Sequence, residues 1–209
     1  ATIVSSELKK IPLLSSLSDD ARDSFANKCR WVEYGPDKSV IERGMFDTNV
    51  YFIITGTLHV LNYSETGRVI TYATLKDGDM FGELAAIDGL PRSAWVCSIT
   101  PCQMATCPSP AFINLLSGNA EVSLALLKRM SSNIRLLDDR LKDLTLLGAE
   151  QRACTELLRM AKPDSEAPGG YVISPMLTHA NFANLVGVSR ETISRIFRKL
   201  REESLIVHN

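Results

Sequence analysis

The stretch FGELAAIDGLPRSAW, Phe81–Trp95, places one acid and one arginine on either side of a turn in a strand-rich region. The Arg92 guanidinium offers several fixed N–H donors and a permanent charge, which suit a phosphate group. Ser93 and backbone N–H groups add donors, Glu83 can accept from a ribose hydroxyl, and Gly82 lets the backbone approach a ligand closely. The stretch predicts a sugar-phosphate site on a strand-turn-strand surface. The alternative is a Glu83–Arg92 salt bridge that only holds the fold together.

Residues 31–108, which surround this stretch, have the composition of short β-strands. The segment VYFIITGTLHVLNY (50–63) is dense in β-branched and aromatic residues around Gly56. Gly67 marks a hairpin turn before the next strand-like run. Short strands at this spacing favour a sandwich or rolled barrel over a βαβ sheet.

A long helix is predicted downstream, because neither proline nor glycine occurs between Glu121 and Leu147. Apolar residues there are spaced 3, 4, 3, 4 and 3 apart, an a/d heptad stripe that favours pairing with a second copy of the chain. The alternative is a helix packed only on its own β-domain. We call the set the α-stripe; it comprises Leu127, Met130, Ile134, Leu137, Leu141 and Leu144.

The C-terminal region reads as a helix-turn-helix. Thr178 and Ser189 are predicted N-caps of two helices joined through Gly187. The second helix has an apolar face at i, i+3, i+4, i+7 spacing, and from Ser189 to Arg201 it holds five basic residues and one acidic, a net +4. Such a helix fits the DNA major groove, where arginine can fork onto guanine and glutamate can accept from cytosine.

Because the net charge is only −1, a nucleic-acid-binding surface would have to be a local cluster of basic residues and not a property of the whole chain. No uninterrupted run of about 18 apolar residues suggests a membrane span, and no signal-peptide pattern is found, so a cytoplasmic location is predicted. Because the sequence starts at Ala1 without Met, upstream residues are expected to be missing.

Two chemical alternatives concern the cysteines and histidines. The evenly spaced Cys97, Cys102 and Cys107 invite a metal or redox interpretation, but a structural role is favoured because free cysteine behaves as a small buried hydrophobe. No nucleophile–base pair, metal-ligand cluster or Walker-type loop is evident, and the three histidines lie far apart in sequence, so an enzyme is not predicted.

With both motifs in place, the chain resembles the catabolite activator protein and fumarate-nitrate regulator superfamily of bacterial transcription factors over nearly its whole length. FGEL…RSAW is similar to the phosphate-binding cassette of that superfamily and GVSRETISRI to its recognition helix. The resemblance implies an α+β fold with an N-terminal jelly-roll-like β-roll (1–118), a central dimerisation helix (119–147) and a C-terminal winged helix-turn-helix (148–209). A redox or gas sensor of the same fold is the second hypothesis, although only Cys29 precedes the β-domain.

The resemblance also implies residue roles. Glu83 would hold the ribose 2′-hydroxyl, while Arg92 and Ser93 would hold the cyclic phosphate of cyclic AMP or cyclic GMP. The remaining implied nucleotide contacts are Gly82, Leu84, Ala94, Val60 and Tyr72. Arg190, Glu191 and Arg195 would read bases of a palindromic site, with Ser189, Thr192, Thr178 and His179 beside them on the DNA. The implied partners are a second copy of the chain, double-stranded DNA and RNA polymerase; no cofactor or metal is implied.

The chain departs from the family pattern at several positions. Members that use cyclic AMP generally carry Thr-Ser on the long helix, where ungapped alignment places Leu137 and Asp138, and Asn133 stands where an arginine is often found. An aspartate facing a purine can accept from guanine N1–H and N2–H₂, or from the amino group of adenine. The sequence is therefore compatible with either cyclic AMP or cyclic GMP as the ligand. His179 and Ala180 replace an Arg-Gln pair, and the sequence stops at Asn209, where the family usually continues into a β-wing, so a truncated C-terminus is expected.

Overall fold

The computed structural model describes residues 5–65, 69–165, 169–174 and 176–207. The chain divides into two compact units, one ending at Ser132 and the other beginning at Asn133. The hairpin turn predicted at Gly67 lies outside the described residues, as do His208 and the chain ends. The predicted boundaries at 118 and 147 stay predictions.

The first unit is built on two antiparallel four-stranded sheets. Their strands are β1 (Arg30–Tyr34), β2 (Ser39–Ile41), β3 (Val50–Thr55), β4 (Leu58–Tyr63), β5 (Val69–Leu75), β6 (Met80–Phe81), β7 (Trp95–Ser98) and β8 (Cys102–Cys107). One sheet has the order β1-β8-β3-β6 and the other β2-β7-β4-β5. This rolled, antiparallel arrangement confirms the predicted β-rich domain.

The first five residues of strand β3, VYFII (50–54), carry no charged side chain, and their burial explains why. Side chains alternate between the two faces of a strand, and here both faces are covered. Tyr51 and Ile53 join the core between the sheets, whereas Val50, Phe52 and Ile54 join a second core against the helices. All these side chains are buried.

Helices supply the other side of that second core. They are α1 (Ser5–Leu8), a 3₁₀ turn (Pro12–Leu14), α2 (Asp19–Ala26), α3 (Glu83–Asp88), α4 (Ser109–Gly118) and the start of α5 (Ala120–Leu146). Phe25 meets Phe52 edge-on at 5.7 Å between ring centroids, and Phe112 meets Phe52 in a tilted arrangement at 6.4 Å. The predicted long helix is confirmed as α5.

The second unit contains the C-terminal part of α5, then α6 (Ala149–Met160), α7 (His179–Val186) and α8 (Arg190–Glu202). A small sheet of β9 (Lys162–Pro163) and β10 (Tyr171–Val172) lies between α6 and α7 in the chain. Phe182 of α7 packs against Ile193 and Phe197 of α8, and Ala153 of α6 completes this core.

Two buried ion pairs join the end of α5 to α6. Arg140 donates to Glu156 at 2.8 Å, and Arg159 donates to Asp143 at 2.6 Å. Both carboxylates are buried. Among the described residues no single helix is long and apolar enough to cross a membrane; α4 and α5 reach that length and composition only together, across a bend of 110°.

Candidate functional site

The cassette is strand, helix and turn, not the strand-turn-strand surface predicted from the sequence. Gly82 follows β6 with φ 88°, which breaks the strand and starts α3. Gly89 ends the helix at φ 71°, where its N–H donates to the carbonyl of Ala85. Because the residues between the two glycines include good helix formers such as Leu and Ala, one helical turn and a half forms where a simple turn was expected.

Arg92 is the central side chain of the site, and it is only 4% exposed. Its Nη2 donates to Oδ2 of Asp47 at 2.6 Å and to the carbonyl of Asn49 at 2.7 Å. Its Nη1 donates to the carbonyl of Gly82 at 3.0 Å. Its Nε is buried and has no hydrogen-bond partner. A buried donor left unpaired costs about 1–3 kcal/mol, so Nε is a donor that the oxygen of an anionic ligand can satisfy.

Gly82 makes room for this guanidinium. A Cβ at position 82 would lie 2.7 Å from Nη1 of Arg92 and 2.7 Å from the carbonyl oxygen of Asn49. Both distances are far below van der Waals contact, and the positive φ adds strain for any other residue. The sequence analysis predicted that Gly82 lets the backbone approach a ligand closely. In the structure, the group that lies against Gly82 is the Arg92 guanidinium.

The loop before β3 holds Arg92 by backbone and side chain. The N–H of Arg92 donates to the carbonyl of Met45 at 2.9 Å, and its carbonyl accepts from the N–H of Gly44 at 2.9 Å. The other oxygen of Asp47, Oδ1, accepts from the N–H and the Nδ2 of Asn49 at 3.1 and 2.7 Å. Sequence reasoning missed Asp47 and Asn49, and the ion pair of Arg92 is with Asp47 and not with Glu83.

The other predicted nucleotide contacts of the first unit are spread over α3, the following turn and two strands. Glu83 begins α3 and is half-buried, and Leu84 beside it is exposed. Ser93 is exposed and Ala94 half-buried. Val60 on β4 packs against the core between the sheets. Tyr72 is the extra residue at a register shift between β4 and β5, and its hydroxyl accepts from Nδ2 of Asn62 at 3.0 Å.

The predicted base contacts on α5, Asn133, Leu137 and Asp138, are all exposed, and they belong to the second unit. Leu137 is also a member of the α-stripe. The stripe itself is largely solvent-accessible: Leu127, Ile134, Leu137, Leu141 and Leu144 are each between 55% and 65% exposed.

Both predicted helix caps of the helix-turn-helix are confirmed. Thr178 Oγ1 accepts from the N–H of Asn181 at 3.2 Å, and Ser189 Oγ accepts from the N–H of Thr192 at 3.2 Å. Gly187 lies between the helices at φ 76°, where glycine is favoured. The two helices are therefore positioned by the residues that the sequence indicated.

The first turn of α8 presents charged side chains to solvent. Arg190, Glu191 and Arg195 are exposed. Hydrogen bonds from its own backbone N–H and from Ser189 hold the pKa of Glu191 below its ordinary value, so this acceptor stays ionised. By contrast, His179 faces inward: its Nδ1 lies 2.9 Å from Oγ of Ser194, and its ring meets Phe197 edge-on at 5.0 Å.

No group of three or more metal-ligating side chains occurs among the residues that the structure describes. Cys102 and Cys107 are buried. Burial raises the pKa of Cys97 and Cys102, and a hydrogen bond with Cys29 together with burial raises that of Cys107. Protonated thiols in these surroundings suit packing.

Comparison with protein families agrees with this division of the molecule. Residues 31–119 match the cyclic nucleotide-binding domain, and residues 151–209 match the Crp-like helix-turn-helix domain. These two matches define the class: a cyclic-nucleotide-binding domain joined to a DNA-binding domain.

Individual proteins define the family. The chain is 30% identical over 192 residues to the cAMP-activated global transcriptional regulator CRP of Salmonella typhimurium, covering 90% of each chain. It is 28% identical to the regulator Vfr of Pseudomonas aeruginosa over 190 residues, covering 88% of each. Its fold matches a CooA mutant from Carboxydothermus hydrogenoformans with a TM-score of 0.78 at 16% identity, covering 93% of this chain and 84% of the other. The chain belongs to the CRP/FNR family and is a cyclic-nucleotide-responsive, DNA-binding transcription regulator.

Proposed function

We propose that Arg92 binds the phosphate of a cyclic nucleotide and that this binding enables the second unit to bind a palindromic promoter site. The observation that supports the proposal is that Arg92 lies within the residues matching the cyclic nucleotide-binding domain and has a buried guanidinium whose Nε has no partner. A cyclic phosphate carries one negative charge and two exocyclic oxygens, and the planar guanidinium matches such a group with parallel donors.

The neighbouring residues have the chemistry to hold the rest of the ligand. Glu83, at the start of α3, would accept from the ribose 2′-hydroxyl, and exposed Ser93 would add a hydroxyl donor for the phosphate. Gly82, Leu84 and Ala94 surround these groups along the chain, and Val60 and Tyr72 supply apolar and aromatic surface on β4 and β5.

Asp138 favours a guanine base. Its exposed carboxylate can accept from N1–H and N2–H₂ of guanine together, whereas adenine offers it only an amino group. The relatives are named as cAMP-activated, so cyclic AMP is the competing ligand. We propose cyclic GMP as a ligand of this chain, with Asn133 and Leu137 beside the base on α5.

The exposed α-stripe supports a homodimer. Fully burying a leucine contributes about 1.5–3 kcal/mol, so large apolar side chains at heptad spacing on a solvent-facing helix are most stable when paired. A dimer presents two copies of α8 to a palindromic site, with Arg190, Glu191 and Arg195 reading bases. Ser189 and Thr192 at the start of α8 would contact DNA phosphates, as would Thr178; His179 would have to turn from Ser194 to reach the DNA backbone.

The remaining parts of the proposal follow from the family. By analogy with its relatives, we propose that the protein works in the cytoplasm, contacts RNA polymerase and catalyses no reaction. If the nucleotide enables DNA binding, linkage requires DNA to tighten nucleotide binding by the same factor.

A titration tests the proposal. Cyclic AMP and cyclic GMP are added separately to wild-type protein and to Asp138→Ala, and binding to a palindromic DNA fragment is followed by fluorescence anisotropy. We expect both nucleotides to promote DNA binding, with cyclic GMP losing its advantage in Asp138→Ala. If neither nucleotide changes DNA affinity, the proposed function is wrong; if the ratio of the two affinities is unchanged in the variant, only the role of Asp138 is wrong.

A further inference from the structure

A carboxylate already occupies part of the anion site. Oδ2 of Asp47 accepts from Nη2 of Arg92 at 2.6 Å. The Arg92 side chain is 3% exposed and that of Asp47 is 33% exposed, so one member of the pair is fixed in the interior and the other reaches solvent. A charge-assisted bond of this length is strong.

The partners of Arg92 divide into permanent and replaceable ones. The carbonyl oxygens of Asn49 and Gly82 belong to the backbone and anchor the guanidinium whether or not Asp47 is present. Asp47 is a side chain on a loop. It uses a single oxygen on Arg92, while Nε stays without a partner, so the carboxylate satisfies the guanidinium incompletely.

A cyclic phosphate and Asp47 both carry negative charge, and two anions in contact with one guanidinium repel each other. We infer that Asp47 is an internal counter-ion of the nucleotide site, whose carboxylate must leave Arg92 for the phosphate to bind. This inference rests on the proposed function. It makes Asp47 a residue that sets nucleotide affinity, because the apparent affinity is proportional to the fraction of protein in which Asp47 has moved away from Arg92.

The test is the neutral variant Asp47→Asn. Its amide oxygen can still accept from the N–H of Asn49, so the loop keeps its turn, but the charge that competes with phosphate is gone. Binding of cyclic AMP and cyclic GMP is measured by calorimetry on the full chain. We expect the affinity for the activating nucleotide to rise roughly tenfold, the scale of one charge-assisted hydrogen bond.

Kinetics separate competition from a merely structural role. Stopped-flow measurements with a fluorescent cyclic nucleotide should show faster association in Asp47→Asn with an unchanged dissociation rate. If Asp47 instead positions Arg92 for the ligand, the variant dissociates faster and binds more weakly, which would overturn the inference. Asp47→Ser is a second neutral variant with the same expectation, should the amide disturb the loop.

A matched control lies in the same unit. Arg22 is also a buried arginine with an unpaired Nε; its Nη1 donates to the exposed carboxylate of Asp19 at 2.6 Å and its Nη2 to the carbonyl of Leu17 at 2.6 Å. Asp19→Asn should leave nucleotide affinity within about twofold of wild type, as expected for an exposed ion pair. An equal rise in both variants would mean that overall charge is responsible, and Asp47 would lose its special role. If no protein in the series binds either nucleotide, the proposed function itself is wrong.

Discussion

The two units place their functional groups in opposite environments. In the first unit the key group, Arg92, is buried and is held by Asp47, Asn49 and Gly82, which come from separate parts of the chain. In the second unit Arg190 and Arg195 stand in solvent on a helix that is stable through its caps and apolar face. Members of an interior network are coupled, so a change at one alters the others, whereas well-separated surface groups contribute nearly independently.

The largest effect is expected from Arg92→Ala. Removing the guanidinium deletes the donors for the phosphate and leaves Asp47 without its counter-ion, so nucleotide affinity should fall by at least about a hundredfold. Calorimetry measures the affinity and circular dichroism checks that the fold persists. Wild-type affinity in a folded Arg92→Ala protein would end the idea that the interior network binds the nucleotide.

The next effect concerns α5, which both units share. Ile134→Glu puts a charge into the α-stripe, so the dimer should dissociate at micromolar concentration and affinity for a full palindrome should fall. Analytical ultracentrifugation gives the mass. Leu158→Glu is the control, because Leu158 is 76% exposed on α6 outside the stripe. A dimer that survives Ile134→Glu would assign the stripe to another role.

A graded effect is expected on the DNA-binding surface. Arg195→Ala should cost about 1–3 kcal/mol at the preferred base and relax preference at that position only. The measurement is anisotropy against DNA fragments that differ at single positions, with exposed Arg198→Ala as the comparison. Equal weakening on every fragment would identify Arg195 as a phosphate contact instead.

The smallest expected effect is a pH dependence in the stability of the first unit, which contains His59. His59 on β4 is 4% exposed, and burial lowers its pKa below the ordinary 6.5. As pH falls, His59 is therefore protonated in the unfolded chain before it is protonated in the folded chain. Its contribution to the free energy of unfolding is fully present above pH 6.5 and is lost as pH falls toward the lowered pKa, by at most about 1.4 kcal/mol per pH unit.

This pH effect can be watched in the first unit alone, since both tryptophans, Trp31 and Trp95, belong to it. Tryptophan fluorescence during urea unfolding should give a midpoint that falls with acid. His59→Gln should flatten that dependence. An unchanged slope in His59→Gln would place the acid sensitivity elsewhere in the chain.

The sequence predicts a structural feature well when the interactions that form it join residues close together in the chain, and poorly when they join distant residues. In the helix-turn-helix, caps and turns act within four residues, so Thr178, Gly187 and Ser189 could be assigned correctly from the sequence. In the cassette, Arg92 could be identified from its charge in an apolar region. Its partners Asp47 and Asn49 could not, because only the folded sheets bring residues more than forty positions apart together.

Local preference also misled the interpretation of the cassette. Strand-like neighbours on both sides of the segment suggested a continuous sheet surface. The two glycines with positive φ, Gly82 and Gly89, instead bound a helix that sits between β6 and β7. The side chains of Val50 to Ile54 alternate between the two faces of the strand, but the sequence does not show it. Because both faces are covered, no charged residue marks a solvent-facing side.

Val50 to Ile54 of β3 are buried on both faces of the strand, so this part of β3 has little room to move. Asn49, whose carbonyl accepts a hydrogen bond from Arg92, is the residue immediately before β3. Tyr51 and Ile53 on one face of the strand pack in the core between the sheets, and Phe52 on the other face packs with Phe25 and Phe112. Because this strand is packed on both faces, we expect a change at Arg92 to reach the helices as a movement of the whole strand.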